Sequence, residues 1–393
     1  MKKWNGQKKN RNSPYNPLKI AMIGHKRIPS REGGVEIVVE ELSDRLTASG
    51  HEVHAYNRSG HHVSGKKFDS SNTNCSYLKK YKGIRIITIP TLQNGKWNAL
   101  IYSVFGTLRA MVGHYNIIHY HAEGPCAMLW LPHLFGIRTV ATIHGLDWQR
   151  GKWGGFASKY LKFGEKAAAK YADEIIVLSK NIQNYFRNTY GREVSFIPNG
   201  IVRPVIKSVD VIWRKWQLQK DEYLLYLARI VPEKGLHYLI EAYRALPITK
   251  KLVIAGGSSH TDEYKREIMQ KAAGDERIIF TDFIQGEELE ELYSNAYLYI
   301  LPSDLEGMPI SLLEAMSYGN CCVVSDIPEC LEVVEDMAVS FTKGDVTDLT
   351  KKLTWLMDNP DIVNAYKEKA SDFICHKYDW DMVVRNTVEL YQK

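Results

Sequence analysis

The fold of this chain turns on one segment, Leu301-Pro302-Ser303-Asp304-Leu305-Glu306-Gly307-Met308-Pro309-Ile310-Ser311-Leu312-Leu313-Glu314-Ala315-Met316-Ser317-Tyr318-Gly319. The residues just before it, Ala296-Tyr297-Leu298-Tyr299-Ile300, are aromatic or apolar and, with Leu301, read as a buried strand. Pro309 suits the first position of a helix, where a missing N–H leaves no hydrogen bond unmade. The spacing predicts a helix over 310–318, and Gly319 stands where a helix stops. A strand therefore runs into an acidic loop, and the loop runs into a helix N-terminus.

Glu306 and Glu314 lie eight positions apart. At about 100° per residue they do not share a helix face. They act on one ligand most easily if Glu306 is in the loop and Glu314 is in the helix. The free N–H groups over 307–312 would then face an anion. An anion flanked by two carboxylates points to a polyol carrying phosphate, with the acids on the hydroxyls and the helix end on the phosphate. Spacing alone fits a buried helix with one capping and one solvated acid equally well. The residues in between change the reading. Glu306-Gly307-Met308-Pro309-Ile310-Ser311-Leu312-Leu313-Glu314-Ala315-Met316 resembles the Glu-x7-Glu motif of retaining glycosyltransferases of family 4, in the GT-B superfamily. The match extends to its length, its Gly-x-Pro and its Glu-Ala-Met ending.

The totals agree with such a chain. A length of 393 residues favours two domains, and 45% hydrophobic with 24% charged residues is the composition of a soluble globular protein. No apolar run reaches the roughly 18 residues of a spanning helix, and no apolar stretch follows the basic N-terminus as in a secretory signal. The six cysteines form no Cys-x-x-Cys pair and do not cluster with histidines. They predict reduced thiols in a cytoplasmic protein, not a disulfide or zinc framework.

The net charge of +6 hides a division. Residues 1–205 hold 30 Lys and Arg against 13 acids, or +17, whereas 206–393 hold 21 against 32, or −11. A basic half joined to an acidic one predicts that the first half faces an anionic surface such as the inner membrane leaflet. Nucleic acid would account for the basic half only, and no recognition helix or aromatic platform is present. Residues 1–17, with five cations and no acid, read as a flexible basic tail.

Residues 18–205 read as a first α/β domain. A strand over 18–24 leads through a loop containing His25, Gly33 and Gly34 to a helix over 35–49 and a second strand over 51–56. The two glycines let backbone approach a ligand closely, and they match the Gly-Gly loop that family 4 enzymes place against donor sugar and diphosphate. Apolar residues at helical spacing from Trp97 through Phe105, Leu108 and Val112 read as a core-facing stripe. His119 and His121 end one strand and Glu123 follows it; another strand, over 138–143, ends in His144-Gly145-Leu146-Asp147-Trp148. In a doubly wound sheet ligands sit outside the carboxyl ends of the strands, so His25, His119, His121, Glu123 and Asp147 are acceptor-side candidates. Thr142-Ile143-His144-Gly145-Leu146-Asp147-Trp148 resembles the family segment whose histidine approaches the transferred sugar. With Gly33-Gly34-Val35-Glu36 it is most similar to a bacterial rhamnosyltransferase branch.

Residues 206–376 read as a second such domain. Its strand over 223–228 leads to Arg229-Ile230-Val231-Pro232-Glu233-Lys234-Gly235, which resembles the family's phosphate-binding loop, and a later strand ends at Gly256 on the donor side. Residues 377–393 form a terminal helix that, in family members, crosses back to the first domain. Its Asp379-x-Asp381 reads as helix-start acids rather than a metal motif.

The resemblance implies two doubly wound Rossmann-like α/β domains facing a cleft. It implies a metal-independent hexosyltransferase with no cofactor, using a nucleoside diphosphate sugar. The catalytic candidates are Arg229, Lys234, Glu306 and His144. Gly33, Gly34, Gly256, Gly307, Met308, Pro309, Ile310 and Glu314 are the donor-binding candidates. The expected acceptor is a glycan or a lipid-diphosphate-linked glycan for a bacterial surface polysaccharide, handled in the cytoplasm or peripherally at the inner face of the plasma membrane. A catalytically silent nucleotide-sugar binding protein and a GT-B sugar-nucleotide epimerase are the alternatives.

Overall fold

Alternating apolar strands and amphipathic helices build two separate sheets. The computed structural model describes residues 16–59, 78–91, 95–149, 155–257 and 262–393. Most of the tail expected at 1–17 lies outside them.

The first sheet is built from β1 (Lys19–Ile23), α1 (Gly34–Ala48), β2 (Glu52–Arg58), β3 (Lys80–Tyr81), β4 (Ile84–Ile89), α2 (Gly95–Met111) and β5 (Ile117–His121). It continues through α3 (Glu123–Cys126), α4 (Trp130–Leu134), β6 (Thr139–Ile143), α5 (Gly155–Tyr171), β7 (Glu174–Val177), α6 (Lys180–Tyr190) and β8 (Ser195–Phe196). Its order is β3-β4-β2-β1-β5-β6-β7-β8, parallel except for β3 against β4. β5 and β6 are buried along their whole length because helices cover both faces.

The second sheet comes from α7 (Val211–Trp216), β9 (Tyr223–Leu227), α8 (Leu236–Arg244), β10 (Lys251–Ala255), α9 (Asp262–Ala272), β11 (Ile278–Asp282), α10 (Glu287–Asn295) and β12 (Leu298–Leu301). Then follow α11 (Ile310–Ser317), β13 (Cys321–Ser325), α12 (Pro328–Val334), β14 (Val339–Phe341), α13 (Val346–Asp358), α14 (Pro360–Lys377) and α15 (Trp380–Gln392). Its order is β11-β10-β9-β12-β13-β14, all parallel.

Two chain crossings join the halves side by side. Ile201 N–H donates to the Tyr378 carbonyl at 2.8 Å, and a Cβ on Gly200 would meet the Trp380 ring at 2.4 Å. Beyond this crossing α15 packs Trp380, Val384, Val388 and Tyr391 into the core under α1 on the first sheet. Asp379 caps α15 by accepting from the Asp381 N–H at 3.0 Å.

Two local expectations need correction. Pro309 is not the first helical residue: it precedes α11 with extended backbone, φ −76° and ψ 99°. Its carbonyl accepts from the Leu312 and Leu313 N–H groups. The apolar stripe of α2 is not core. Tyr102, Ser103, Thr107 and Ala110 face inward, while Phe105, Leu108 and Val112 face solvent at 54%, 45% and 67% exposure. Helical spacing marks an apolar face but not what covers it, and here small and hydroxyl-bearing residues make the buried side.

Candidate active site

In each sheet the order of connection reverses beside the strand formed first, between β1 and β5 and between β9 and β12. Loops leaving the carboxyl ends of those strands diverge there and leave a crevice. In the second sheet the loop after β9 carries Arg229 and Lys234, and the loop after β12 carries Glu306 before α11 presents Glu314.

The two loops are bonded into one unit. Lys234 Nζ donates to Glu306 Oε1 at 2.5 Å, with the side chains only 14% and 7% exposed. Ser303 Oγ donates to the same carboxylate oxygen at 2.7 Å, and the Asp304 N–H donates to the Glu233 carbonyl at 2.9 Å. Gly235 makes the close approach feasible. It sits at φ +63°, and a Cβ there would lie 1.9 Å from the Pro302 carbonyl oxygen. Gly256, at φ +150°, plays the same part on the other flank, where a Cβ would strike the Ala228 carbonyl at 1.9 Å. The next residue's carbonyl, that of Gly257, accepts from the Ile230 N–H at 3.0 Å. Gly256 thus packs against the strand end from which the Arg229 loop departs.

Glu314 is held on both sides. Tyr293 OH donates to its Oε2 at 3.2 Å, and Arg31 of the first domain lies 3.6 Å from its Oε1. Burial raises the Glu314 carboxyl above its usual range, while Arg31 and Tyr293 act against that rise. Other contacts also cross the cleft. A Cβ on Gly307 would lie 1.7 Å from the His144 carbonyl oxygen, and one on Gly34 would lie 3.0 Å from Ile310 Cδ1. The Asn199 N–H donates to Met308 Sδ at 3.1 Å. The start of α11 is therefore roofed by His144, Gly34 and Asn199, in a closed arrangement of the two halves.

The first-domain histidines divide. His121 Nδ1 and His144 Nε2 are 3.1 Å apart, so one donates and the other accepts. His119 stacks on His121 at 4.2 Å, but its ring nitrogens are bonded to Tyr391 and Thr142, each at 2.7 Å. It ties α15 to the sheet instead of lining the cleft, and burial lowers it to about 3. His25 is buried and its Nε2 is 3.0 Å from Asn57 Oδ1; burial lowers it to about 4. Both histidines are neutral at physiological pH.

Glu123 and Asp147 join a different group. Glu123 is fully buried, and neither carboxyl oxygen has a hydrogen-bond partner among the described residues. Burial, with Asp147 and Glu165 nearby, pushes it up to about 10, so it carries a proton. Glu165 is equally buried but accepts from Trp148 Nε1 and Tyr185 OH at 2.7 and 2.8 Å, and also from Tyr190 OH. These donors outweigh burial and hold it below the usual range.

Several neighbours of the site escaped sequence reading. Arg31 lies three residues before Gly34 in the loop whose glycines carried the reading. Glu36 closes the Gly-Gly-Val-Glu run: it accepts from the Lys26 N–H at 2.8 Å, and a Cβ on Gly33 would lie 2.4 Å from its Oε2. Burial lowers Lys26; Glu36 opposes this, while Arg58 and Arg229 add to it. Arg229 thus lies within electrostatic reach of the first-domain loop. Tyr293 had no sequence signal, since only folding brings α10 against α11.

Two Rossmann-like domains closing on a loop of paired cations and carboxylates define a GT-B glycosyltransferase. Residues 32–202 match the Glycosyltransferase Family 4 model and residues 210–373 match the Glycosyl transferases group 1 model. The chain belongs to the group 1 glycosyltransferases, with a family 4 first domain. It is 26% identical to an uncharacterized glycosyltransferase of Methanocaldococcus jannaschii, MJ1607, across 95% of this chain and 98% of the relative. It is also 26% identical to the N,N'-diacetylbacillosaminyl-diphospho-undecaprenol alpha-1,3-N-acetylgalactosaminyltransferase of Campylobacter jejuni, over 58% of this chain and 62% of that one. Among solved structures, Anabaena HepE in complex with UDP and glucose superposes with a TM-score of 0.77. It shares 15% identity, with 95% and 99% of the two chains covered.

Proposed function

We propose that this glycosyltransferase is a retaining, metal-independent enzyme. It moves a hexosyl group, specifically rhamnosyl, from a nucleoside diphosphate sugar to a glycan or lipid-diphosphate-linked glycan. The setting is bacterial surface polysaccharide assembly at the inner face of the plasma membrane. The observation that carries the reading is the bonded pair Lys234–Glu306 beside Gly307 and His144, with Glu314 one helix further on.

Residues 206–376 take the donor and 18–205 the acceptor, and the helix over 377–393 holds the two together. Glu314 accepts from the ribose hydroxyls. Glu306 accepts from sugar hydroxyls, which its bond to Lys234 places next to a cation for the diphosphate. Gly33, Gly34 and the start of α11 at 307–310 pack against donor sugar and phosphate, and His144 approaches the sugar. In the transfer the bond from the anomeric carbon to the diphosphate oxygen breaks. The acceptor oxygen bonds to that carbon on the same face, and the acceptor proton goes to the departing diphosphate. Negative charge grows on the leaving group, where Arg229, Lys234 and the helix N-terminus stabilise it. Those cations fill the part a divalent ion plays elsewhere.

The lipid-diphosphate acceptor has support in the name of the Campylobacter relative, and the nucleotide donor in the UDP bound to HepE. The rhamnosyl assignment rests on the His144 segment and the Gly-Gly-Val-Glu loop. Thermal shift with UDP, GDP, dTDP and ADP in EDTA tests the donor site, followed by hydrolysis of the matching sugar nucleotide. Stabilisation by dTDP together with slow dTDP-rhamnose hydrolysis is the expected result. A shift with no hydrolysis would favour a silent binding protein, and no shift with any diphosphate would overturn the reading.

A further inference from the structure

Eight of the sixteen large hydrophobic side chains exposed among the described residues come from residues 105–163 of the first domain. They fall on three neighbouring helices. α2 presents Phe105, Leu108 and Val112 at successive turns, with Arg109 beside them. The end of α4 presents Leu134 and Phe135, each about 70% exposed. α5 presents Phe156 and Phe163, at 78% and 54%, alternating along one stripe with the exposed Lys159, Lys166 and Lys170.

The three helices make one face. α2 and α5, with α3 between them, pack their inner sides into the same core on one side of the first sheet, through Tyr102 and Ala110, Cys126, and Ala168. Gly164 brings α5 directly onto α3, where a Cβ would lie 2.0 Å from the Glu123 carbonyl. Tyr160 OH donates to the Gly124 carbonyl at 2.9 Å, and the rings of His133 and Tyr171 tie α4 to α5 at 5.5 Å.

The charge on this face has one sign. Arg109, Lys159, Lys166 and Lys170 are exposed on its helices, and residues 95–171 contain three acids. Of the acids, Glu123 and Glu165 are fully buried and Asp147 sits half-buried at the cleft rim. None of Arg109, Lys159, Lys166 and Lys170 makes an ion pair among the described residues. Monomeric soluble proteins do not ordinarily leave contiguous apolar surface uncovered. Phenylalanine and leucine interleaved with exposed lysine match the headgroup–acyl boundary of an anionic membrane, where rings enter the apolar edge and ammonium groups meet phosphates. A second copy seated isologously would set the same cations against each other.

We propose that the α2–α4–α5 face docks on an anionic lipid bilayer. This deepens the reading of a lipid-held acceptor. α3 follows β5 directly and α5 follows the His144–Gln149 turn, so the face starts at the carboxyl rim of the sheet, where the cleft opens. A lipid lying under the face would present its headgroup at that rim. No helix among the described residues is long and apolar enough to cross the membrane itself, so attachment of this kind is at the surface.

The test is flotation of the full chain with phosphatidylcholine vesicles, with and without phosphatidylglycerol. Two variants are compared, Phe105→Ser/Phe163→Ser and Lys159→Glu/Lys166→Glu, all at exposed positions. Wild type is expected to float with the anionic vesicles, and each variant to bind them about tenfold more weakly. The thermal shift with nucleoside diphosphate should stay unchanged in both. That shift separates the two readings: its loss in wild type bears on the transferase, and vesicle binding bears on the face alone. Absence of wild-type flotation overturns the proposal. So does full binding by both variants, which would put attachment elsewhere in the basic half. A vesicle-free dimer abolished by the same substitutions overturns it too, since the face would then meet protein.

Discussion

Arg31, in the loop before α1, lies 3.6 Å from Glu314 on α11, so a first-domain cation is set against the carboxylate proposed to hold the donor ribose. The contact bridges the cleft and links domain closure to the charge of the donor site. Arg31 is half exposed at 48%, so solvent screens the pair and its contribution to stability is small.

Arg31→Ala should therefore act mainly on donor binding. Burial already raises Glu314, and Arg31 is the first of the groups opposing that rise. Without the guanidinium the carboxyl gains its proton at a higher pH, and the acid limb of donor binding shifts upward. Steady-state kinetics against pH should show donor KM raised about fivefold near pH 6 and less at pH 8, with kcat little changed. An unshifted acid limb would dissociate Arg31 from the ionisation of Glu314.

Lys234→Ala should remove transition-state stabilisation and also leave Glu306 buried beside Ser303 alone. Turnover should fall at least about tenfold, or about 1.4 kcal/mol, and the folded state should lose about 3 kcal/mol. Lys234→Ala/Glu306→Gln separates the two effects. Denaturant melts should recover most of the stability in the double variant, while turnover stays low. Full activity in Lys234→Ala would remove the lysine from the reaction.

Gly307→Ala tests closure. Gly307 is not among the residues at positive φ, so the second domain accommodates alanine by itself. The obstacle lies across the cleft, where the Cβ would sit 1.7 Å from the His144 carbonyl. The variant should melt close to wild type, show a larger radius of gyration by small-angle scattering, and lose at least about tenfold in kcat/KM. Undiminished activity would mean that this contact is not made during turnover.

Glu123→Gln should stabilise the protein above neutral pH. The carboxyl is near 4.5 when unfolded and is raised to about 10 when folded, chiefly by burial. The folded chain thus keeps a proton that the unfolded chain releases, and stability falls as pH rises across that window. Glutamine keeps the neutral form at every pH. The variant's melting temperature should exceed wild type by about 2 °C or more at pH 8, with the gap closing toward pH 4.5. An equal gap at both pH values would point to packing instead of titration.

Within single elements much was legible. Strand, acidic loop and helix follow in the order read around 301–319, with Glu306 in the loop and Glu314 inside α11, because apolar runs and helix stops are properties of neighbouring residues. Gly33 and Gly34 were readable as places of close approach, but not that one meets Glu36 and the other Ile310. The α2 stripe was legible as apolar and misread as buried, since periodicity does not say which side of a helix meets the sheet. His119 looked like a rim residue, yet its ring bonds Tyr391, 272 positions away.

The sequence by itself determined the alternation of strands and helices, the split of charge between the halves, and the residue types gathered at the strand ends. These depend on local propensity and composition, which travel with the chain. Tertiary structure alone decided which carboxyls are ionised, which histidines are locked inside, what each close-approach glycine meets, and which apolar face is left to solvent. Each of these depends on what a distant segment brings to within a few ångströms, and on the water that its arrival removes.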